Sequence, residues 1–279
     1  MADRFLIINA DDLGLAPGVT RGILELARQG AVTSTSIFAN LPGSDEAMAA
    51  ARDAGLDAGV HLNLCLGAPL LPPAHVPSIV GPDGRFVTAG LVARRLVRRS
   101  LQVEEVEREW AAQIERVLAA GPRPSHLDSH CQLHAYPSLY RLTLRLARRY
   151  GIPGVRRAFA GHILQLPRVP LARARLHPWP WRARGSAPAQ PDHFTVLTVQ
   201  GPPRTPRPLQ ALLRALPPGA TELVCHPGHV DEELRRIDPL TDPRERELLL
   251  LSRPVVRETL ARENIRLISW ADLDIRSRI

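Results

Sequence analysis

The stretch FLIINADDLG, residues 5–14, sets the pattern for the whole chain. Its first four residues are apolar and favour a short buried strand, which runs directly into the acidic pair Asp11-Asp12. From Gly18 to Arg28, apolar residues recur at helical spacing, and Gly30 is placed to end that helix. A buried strand followed at once by an amphipathic helix is the repeating unit of α/β proteins. The stretch therefore predicts β–α units around a parallel sheet.

The same alternation continues to the end of the chain. Further strands are predicted at 32–39, 59–64, 125–130, 154–156, 194–199, 222–226 and 265–270, and further helices at 44–54, 103–119, 138–149, 209–216 and 245–264, the last disturbed by Pro254. Seven to eight mostly parallel strands in a chain of 279 residues favour a distorted (β/α) TIM-like barrel over an open sheet.

No linker divides the chain, so residues 1–279 are predicted to form a single domain. Two long loops interrupt the alternation. Residues 66–88 are rich in proline, and residues 161–192 are rich in proline, arginine and tryptophan. Loops of this length in a compact domain are usually lids, binding loops or insertions.

Composition narrows the class of protein. Hydrophobic residues make up 44% and charged residues 23% of the chain, which is ordinary globular usage. No apolar run approaches 18 residues, so no membrane span is expected, and the N-terminus lacks the pattern of a signal peptide. Three widely spaced cysteines, Cys65, Cys131 and Cys225, do not make a disulfide framework. We expect a cytoplasmic protein.

The formal net charge of +8 raises the question of nucleic acid. All 36 basic residues are arginines, which indicates compositional bias rather than a selected basic face. They are scattered, and no nucleic-acid-binding motif accompanies them. A nucleic-acid partner is therefore not expected; an anionic substrate or a membrane surface fits the charge somewhat better.

Acidic and histidine side chains fall near the ends of four predicted strands. They are Asp11, Asp12, His61, His126, Asp128, His130, His226 and His229. In parallel α/β barrels the carboxyl ends of the strands meet on one face, which carries the active site. The sequence therefore predicts that these groups converge.

Strand alternation would place His126, Asp128 and His130 on one face. Two imidazoles and a carboxylate together need hydrogen bonds, water or a metal ion. Histidine with carboxylate ligands suits Zn, Mn, Fe or Ni, whereas oxygen-rich sites suit Mg. Each residue also has a structural reading: His61 as a core histidine, for example, and His226 as the end of a strand before a Pro-Gly turn.

The cysteines are read mainly as small apolar fillers. On regular strands Cys131 would face away from His130, and Cys225 away from His226. Cys65 shares the predicted face of His61 and is a weaker candidate for the lining of the site.

Four motifs, taken in order and with their spacing, resemble the YdjC-like family of carbohydrate deacetylases. They are NADDLG at 9–14, GVHLNL at 59–64, SHLDSH at 125–130 and CHPG at 225–228. The resemblance extends from about residue 4 to residue 273. It implies a distorted barrel that removes the N-acetyl group from an amino sugar or a chito-oligosaccharide-like glycan. It also implies one divalent metal ion, often described as Mg²⁺, with Zn²⁺ or another transition metal as an alternative.

The resemblance also implies roles for individual residues. Asp12, His61 and His126 match the metal ligands. Asp11 matches the catalytic base, and His226 a general acid. Positions that line the substrate site are matched by Asp128, His130 and Arg156.

The sequence departs from the family pattern at the cysteines. Family members commonly have threonine at Cys65, and a polar residue or histidine at Cys131 and Gln132, so the pocket lining differs here.

The chain could instead be a metal-dependent barrel hydrolase that acts on another amide, or one that acts on a lipid-linked or anionic glycan. It could also be a non-catalytic protein that binds sugar or metal. Relatives are often dimers, so the resemblance also suggests that this chain forms a homodimer.

Overall fold

A computed structural model describes residues 3–157, 188–197 and 206–276 of the chain. The predicted loop at 66–88 lies within this part. Most of the predicted loop at 161–192 lies outside the described residues.

Within the described residues, eight strands alternate with helices. The strands are β1 (Arg4–Leu13), β2 (Ser34–Ile37), β3 (Asp57–Leu62), β4 (His126–Ser129), β5 (Gly154–Val155), β6 (His193–Val196), β7 (Gly219–Cys225) and β8 (Ile265–Leu267). The α-helices are α1 (Pro17–Arg28), α2 (Ser44–Asp53), α3 (Ala89–Val97), α4 (Val103–Ala119), α5 (Pro137–Tyr150), α6 (Arg207–Arg214), α7 (Glu232–Ile237), α8 (Asp242–Leu251), α9 (Pro254–Arg262) and α10 (Trp270–Arg276). None of these helices has both the length and the apolarity needed to cross a membrane.

The strands form one sheet in the order β5-β4-β3-β2-β1-β7-β6, and every strand pairing in it is parallel. The long strand β1 is central. One of its edges pairs with β7 from Arg4 to Ala10, while β8 pairs with its first residues and β2 with its later ones. Ala189 makes a parallel bridge to Gly154 just before β6 begins, so residues 188–197 connect the two ends of the curled sheet. The predicted distorted α/β barrel with mostly parallel strands is confirmed.

The core lies between this sheet and the helices outside it. Nine of the ten residues of β1 are buried. Helix α1 buries Val19, Ile23 and Leu26, which recur at the spacing of one helical face. Each such side chain contributes about 1.5–3 kcal/mol when it is fully buried.

The structure differs from the predicted elements in several places, including three helices, α3, α7 and α10, that were not predicted. Strand β4 ends at Ser129, so His130 begins a 3₁₀ turn instead of continuing the strand. The predicted helix at 245–264 is two helices, because Pro254 has no N–H to donate and starts α9 afresh. Helix α3 was not predicted; Thr88 caps it by accepting a hydrogen bond from the Leu91 N–H.

The loop at 66–88 is fixed by carboxylates of α4. Buried Glu109 accepts hydrogen bonds from the backbone N–H groups of Leu70 and Leu71 at 3.0 and 3.1 Å. Glu105 accepts one from Ser78 at 2.7 Å. The loop is therefore anchored beside the carboxyl end of β3.

Helix α1 also positions the segment that follows β7. The Gly18 carbonyl accepts a hydrogen bond from the His229 N–H at 3.1 Å, and the Gly18 N–H donates to Asp231. A Cβ atom at Gly18 would lie 2.3 Å from the His229 carbonyl oxygen. Only glycine permits this approach, which fixes the chain near His226.

We predict that Gly18→Ala destabilises the protein by about 1–3 kcal/mol, the usual cost of forcing an extra methyl group against packed atoms. Gly90→Ala is the matched control. Both glycines are the second residue of a helix, but a Cβ at Gly90 meets no described atom within 4 Å. Urea unfolding should show Gly90→Ala unchanged or stabilised by up to about 1 kcal/mol. Equal stability of the two variants would contradict the packing argument.

Candidate active site

The site begins at an irregularity in β1. The register between β1 and β2 shifts between Ala10 and Leu13, and Asp12 has a φ of 75°. In a regular strand the consecutive residues Asp11 and Asp12 would face opposite sides of the sheet. Here both carboxylates reach His61: each contributes to a cluster whose ligand atoms, those of His61 included, lie within 4.8 Å of one another. A positive φ at a non-glycine residue is strained and is common at functional sites.

One cluster consists of Asp12, His61 and His130. The Asp12 Oδ1 atom lies 3.3 Å from His61 Nε2 and 3.2 Å from His130 Nδ1. This oxygen is buried, and no regular hydrogen bond within the described residues satisfies it. Phe38 packs edge-on against both imidazoles, with ring centroids 5.0 and 5.1 Å away. One carboxylate and two imidazoles are a suitable donor set for a divalent transition metal, with room for water.

Neighbouring groups orient two of these side chains, His61 and Asp12. His61 Nδ1 lies 2.8 Å from Asp128 Oδ1, which leaves Nε2 directed at Asp12. Arg244 donates to the other oxygen of Asp12, Oδ2, at 2.5 Å and to Asp238 at 2.6 Å. Carboxylate–histidine pairs of this kind fix the orientation of metal-binding imidazoles.

The electrostatics of the cluster favour positive charge. Burial opposes ionisation of Asp12, but the adjacent Arg244, His130 and His61 hold the pKa of its carboxyl well below its usual value. Burial would lower the pKa of His61, yet Asp128 and Asp12 raise it to about 9. Burial likewise opposes protonation of His130, but Asp12 raises its pKa well above the usual value. A cation bound here would take the place of these imidazole protons.

His126, predicted as the third metal ligand, lies outside these clusters. Its Nε2 is 3.2 Å from Ser36 Oγ, and its Nδ1 is 3.0 Å from Ser125 Oγ. Ser36 donates its one hydroxyl proton to Asp128, so His126 Nε2 must be the donor to Ser36. The ring stacks on Trp270 at 4.5 Å, and burial lowers its pKa to about 4. The structure places His130, not His126, beside Asp12 and His61.

Asp11 belongs to a buried ion network centred on Arg156. The guanidinium donates to both oxygens of Asp11 at 2.7 Å, and its nitrogens lie 2.6 Å from Asp128 and 2.9 Å from Glu222. Burial raises the pKa of Glu222 to about 7, against the opposing effect of Arg156. Asp128 and Arg156, predicted to line the substrate site, are completely buried. Their burial favours a positioning role over contact with a substrate.

His226 lies just after β7 and is partly exposed, with 27% of its side chain accessible. Its Nε2 is 3.9 Å from Asp11 Oδ2, and its backbone N–H donates to Glu247 at 2.6 Å. Burial lowers the pKa of the His226 imidazole despite the nearby carboxylates. The side chain is therefore mainly neutral at neutral pH.

The cysteines divide differently from the prediction. Cys225 is buried, as expected for a small filler. Cys131 is exposed and lies beside Cys65 and His130 instead of facing away, because β4 has already ended. Hydrogen bonding to Cys65 lowers the pKa of the Cys131 thiol to about 4 and raises that of Cys65.

Three supporting residues, Arg244, Glu247 and Glu222, were not predicted, although the sequence carries a signal for each. Arg244 and Glu247 interrupt the buried face of α8, on which Leu248 and Leu251 lie at helical spacing. Glu222 is the one charged residue of the buried strand β7. A charged residue at such a position needs a buried partner.

A barrel-like parallel sheet with carboxylates and imidazoles gathered at the carboxyl ends of its strands defines an α/β protein with a hydrolase-type site. The chain matches the family described as YdjC-like protein over residues 5–262, and it belongs to that family.

Individual relatives match over nearly their full length. The chain is 32% identical to a carbohydrate deacetylase of Geobacillus stearothermophilus over 273 residues, which covers 96% of this chain and 98% of the relative. It is 30% identical to carbohydrate deacetylase 1 of Listeria innocua, covering 96% and 99%. A crystal structure of an Enterococcus faecalis protein superimposes with a TM-score of 0.80 at 32% identity, covering 98% of this chain and 99% of that one.

The protonation of His61 predicts how any metal binding at the cluster of Asp12, His61 and His130 depends on pH. Since its pKa of about 9 keeps His61 protonated at neutral pH, an incoming ion must displace that proton. The apparent metal affinity of stripped protein should rise by about tenfold per pH unit for each proton released between about pH 6 and pH 8. Calorimetry in buffers of different ionisation enthalpy measures the metal affinity and the number of protons released on binding. The His126→Gln variant is the control and should show the same rise of metal affinity with pH as the wild type. A metal affinity that does not change with pH would contradict this electrostatic account.

Proposed function

We propose that this chain is a metal-dependent carbohydrate N-deacetylase that hydrolyses the acetamido group of an amino sugar or a chito-oligosaccharide-like glycan. The observation that carries the proposal is the three-ligand cluster of Asp12, His61 and His130 with Asp11 and His226 beside it. The activity named for the relatives of Geobacillus stearothermophilus and Listeria innocua supports the same reaction.

The ligands in this proposal are Asp12, His61 and His130, with His130 in place of His126. A divalent ion held there would polarise the acetyl carbonyl and lower the pKa of a water molecule. Two imidazoles favour a transition metal such as Zn²⁺, Mn²⁺ or Co²⁺ over the Mg²⁺ that the resemblance implied. Cytoplasmic location and assembly as a homodimer stay predictions.

Asp11 is the proposed general base. Arg156 donates hydrogen bonds to both carboxylate oxygens of Asp11, and Asn9 donates one to Oδ1 at 2.8 Å. The carboxylate is therefore fixed beside the proposed metal ligands. A base held in place takes the proton of the attacking water without first having to be oriented. Arg156 therefore acts as a positioning residue, with Asp128 and Glu222 sharing its charge.

His226 is the proposed general acid. It is the more exposed member of the site, where a leaving amine can reach it, and it lies 3.9 Å from Asp11. The acid must be protonated before it donates to the amine nitrogen. Because burial lowers the pKa of His226, this step is favoured on the acidic side of neutrality.

The first test is acetate release from N-acetylated mono- and oligosaccharides by stripped protein reloaded with Zn²⁺, Mn²⁺, Co²⁺ or Mg²⁺. We expect metal-dependent release, which His130→Gln should reduce by at least about 100-fold through loss of a ligand. His126→Gln is the matched control and should retain metal stoichiometry and most of the activity. If His126→Gln loses the ion while His130→Gln keeps it, the original assignment of His126 is correct.

Asp11→Asn separates catalysis from binding. It keeps the shape of the side chain but cannot accept the proton, so kcat should fall by about 10²–10⁴-fold while metal stoichiometry is unchanged. Calorimetry for the metal and an acetate assay measure the two effects on the same preparation. Full activity in Asp11→Asn would rule out its role as the base and favour a protein that only binds its ligand.

A further inference from the structure

A second cluster of metal-ligating side chains borders the proposed catalytic site. One ligand atom each of Cys65, His130 and Cys131 lies within 4.8 Å of the other two. Cys131 is exposed, and Cys65 and His130 are partly exposed, so the cluster is open to solvent. The proposed mechanism uses His130 but neither thiol.

The Cys65 side of the cluster is built by Asn63. The Asn63 Oδ1 accepts hydrogen bonds from the N–H groups of Cys65 and Leu66 at 3.0 and 3.1 Å, and its Nδ2 donates to the Leu66 carbonyl at 2.7 Å. Gln113 fixes the Asn63 backbone through two further bonds of 2.8 and 2.9 Å. Asn63 and Gln113 are completely buried, so this turn is anchored from the core.

The Cys131 side of the cluster is a turn with a strained backbone. Cys131 and Gln132 have φ values of 53° and 51°, in the left-handed region that costs non-glycine residues about 1 kcal/mol or more each. Ser129 closes the turn: its Oγ accepts from the His134 N–H at 2.8 Å and lies 2.7 Å from His134 Nδ1. The turn brings the side chains of His130 and Cys131, which are consecutive in sequence, to the same place.

We propose that Cys65, His130 and Cys131 form a separate binding site for a thiophilic divalent ion, Zn²⁺ or Cd²⁺, at the border of the catalytic site. Two thiolates and one imidazole are a soft donor set, distinct from the carboxylate-containing set of Asp12, His61 and His130. Cys65 and Cys131 bind the ion as thiolates and His130 binds it as the neutral imidazole, so the protons that these groups still carry are released to solvent.

The two sites share His130. A neutral imidazole offers one lone pair, so an ion at the thiolate site withdraws His130 from the Asp12 site. A thiophilic ion would therefore act as an inhibitor that competes with the catalytic ion. This consequence rests on the proposed function, whereas binding at the thiolate site does not.

Titration of stripped, fully reduced full-length protein with Cd²⁺ tests the binding directly, through the ultraviolet thiolate-to-Cd²⁺ charge-transfer band. We expect a one-to-one band that is weakened in Cys65→Ser and Cys131→Ser and absent from the double variant. Each single variant should lower the affinity at least about tenfold, since even groups outside the ligand shell are worth about 10- to 100-fold. Cys225→Ala is the control and should keep the band, because Cys225 is buried elsewhere.

Two further arms separate this proposal from the proposed function. Asp12→Asn should keep the Cd²⁺ band even if it abolishes acetate release, and His130→Gln should weaken Cd²⁺ binding at least about tenfold. Added Mn²⁺, a harder ion, should raise the apparent Kd for Cd²⁺ in the wild type but not in Asp12→Asn. No band in the wild type, or a band that is unchanged in both cysteine variants, would overturn the site. A Kd for Cd²⁺ that Mn²⁺ leaves unchanged would overturn the competition.

Discussion

The site depends on the buried ion pairs that the Arg156 guanidinium makes with three carboxylates. Arg156 follows the short strand β5, yet it pairs with Asp11 at the end of β1, Asp128 of β4 and Glu222 of β7. Removing one partner from a buried ion network costs about 3–5 kcal/mol, because a charge is then left unpaired. The network thus holds the strands in one relative position and fixes Asp11 while doing so.

From that network the order of the site extends outward. Asp128 links Arg156 to His61, which in turn faces Asp12, and Arg244 secures Asp12 from the opposite side. Carboxylates therefore surround the imidazoles, which is why the pKa of His61 is raised to about 9. A polar site whose groups are already oriented needs little rearrangement to bind a cation or to stabilise developing charge.

His130 lies between two different kinds of metal-binding atom. On one side is the hard carboxylate of Asp12, 3.2 Å from its Nδ1, and on the other are the soft sulfur atoms of Cys65 and Cys131. Ligand softness, rather than cavity shape, would then decide which ion each side takes. The 3₁₀ turn after β4 creates this arrangement.

The sequence alone was enough to predict the fold class and a set of candidate site residues. Apolar runs alternating with helical patterns predicted the parallel α/β barrel, and polar residues at the strand ends predicted a convergent set that includes Asp11, Asp12, His61, His130 and His226. Which of these side chains lie together was set by the tertiary fold. The bulge at Asp12 turns adjacent carboxylates toward one histidine, and the end of β4 at Ser129 frees His130 while Ser36 and Ser125 occupy His126. Period-two alternation assumes regular strands, and it fails where a strand bulges or ends, because long-range packing sets those points.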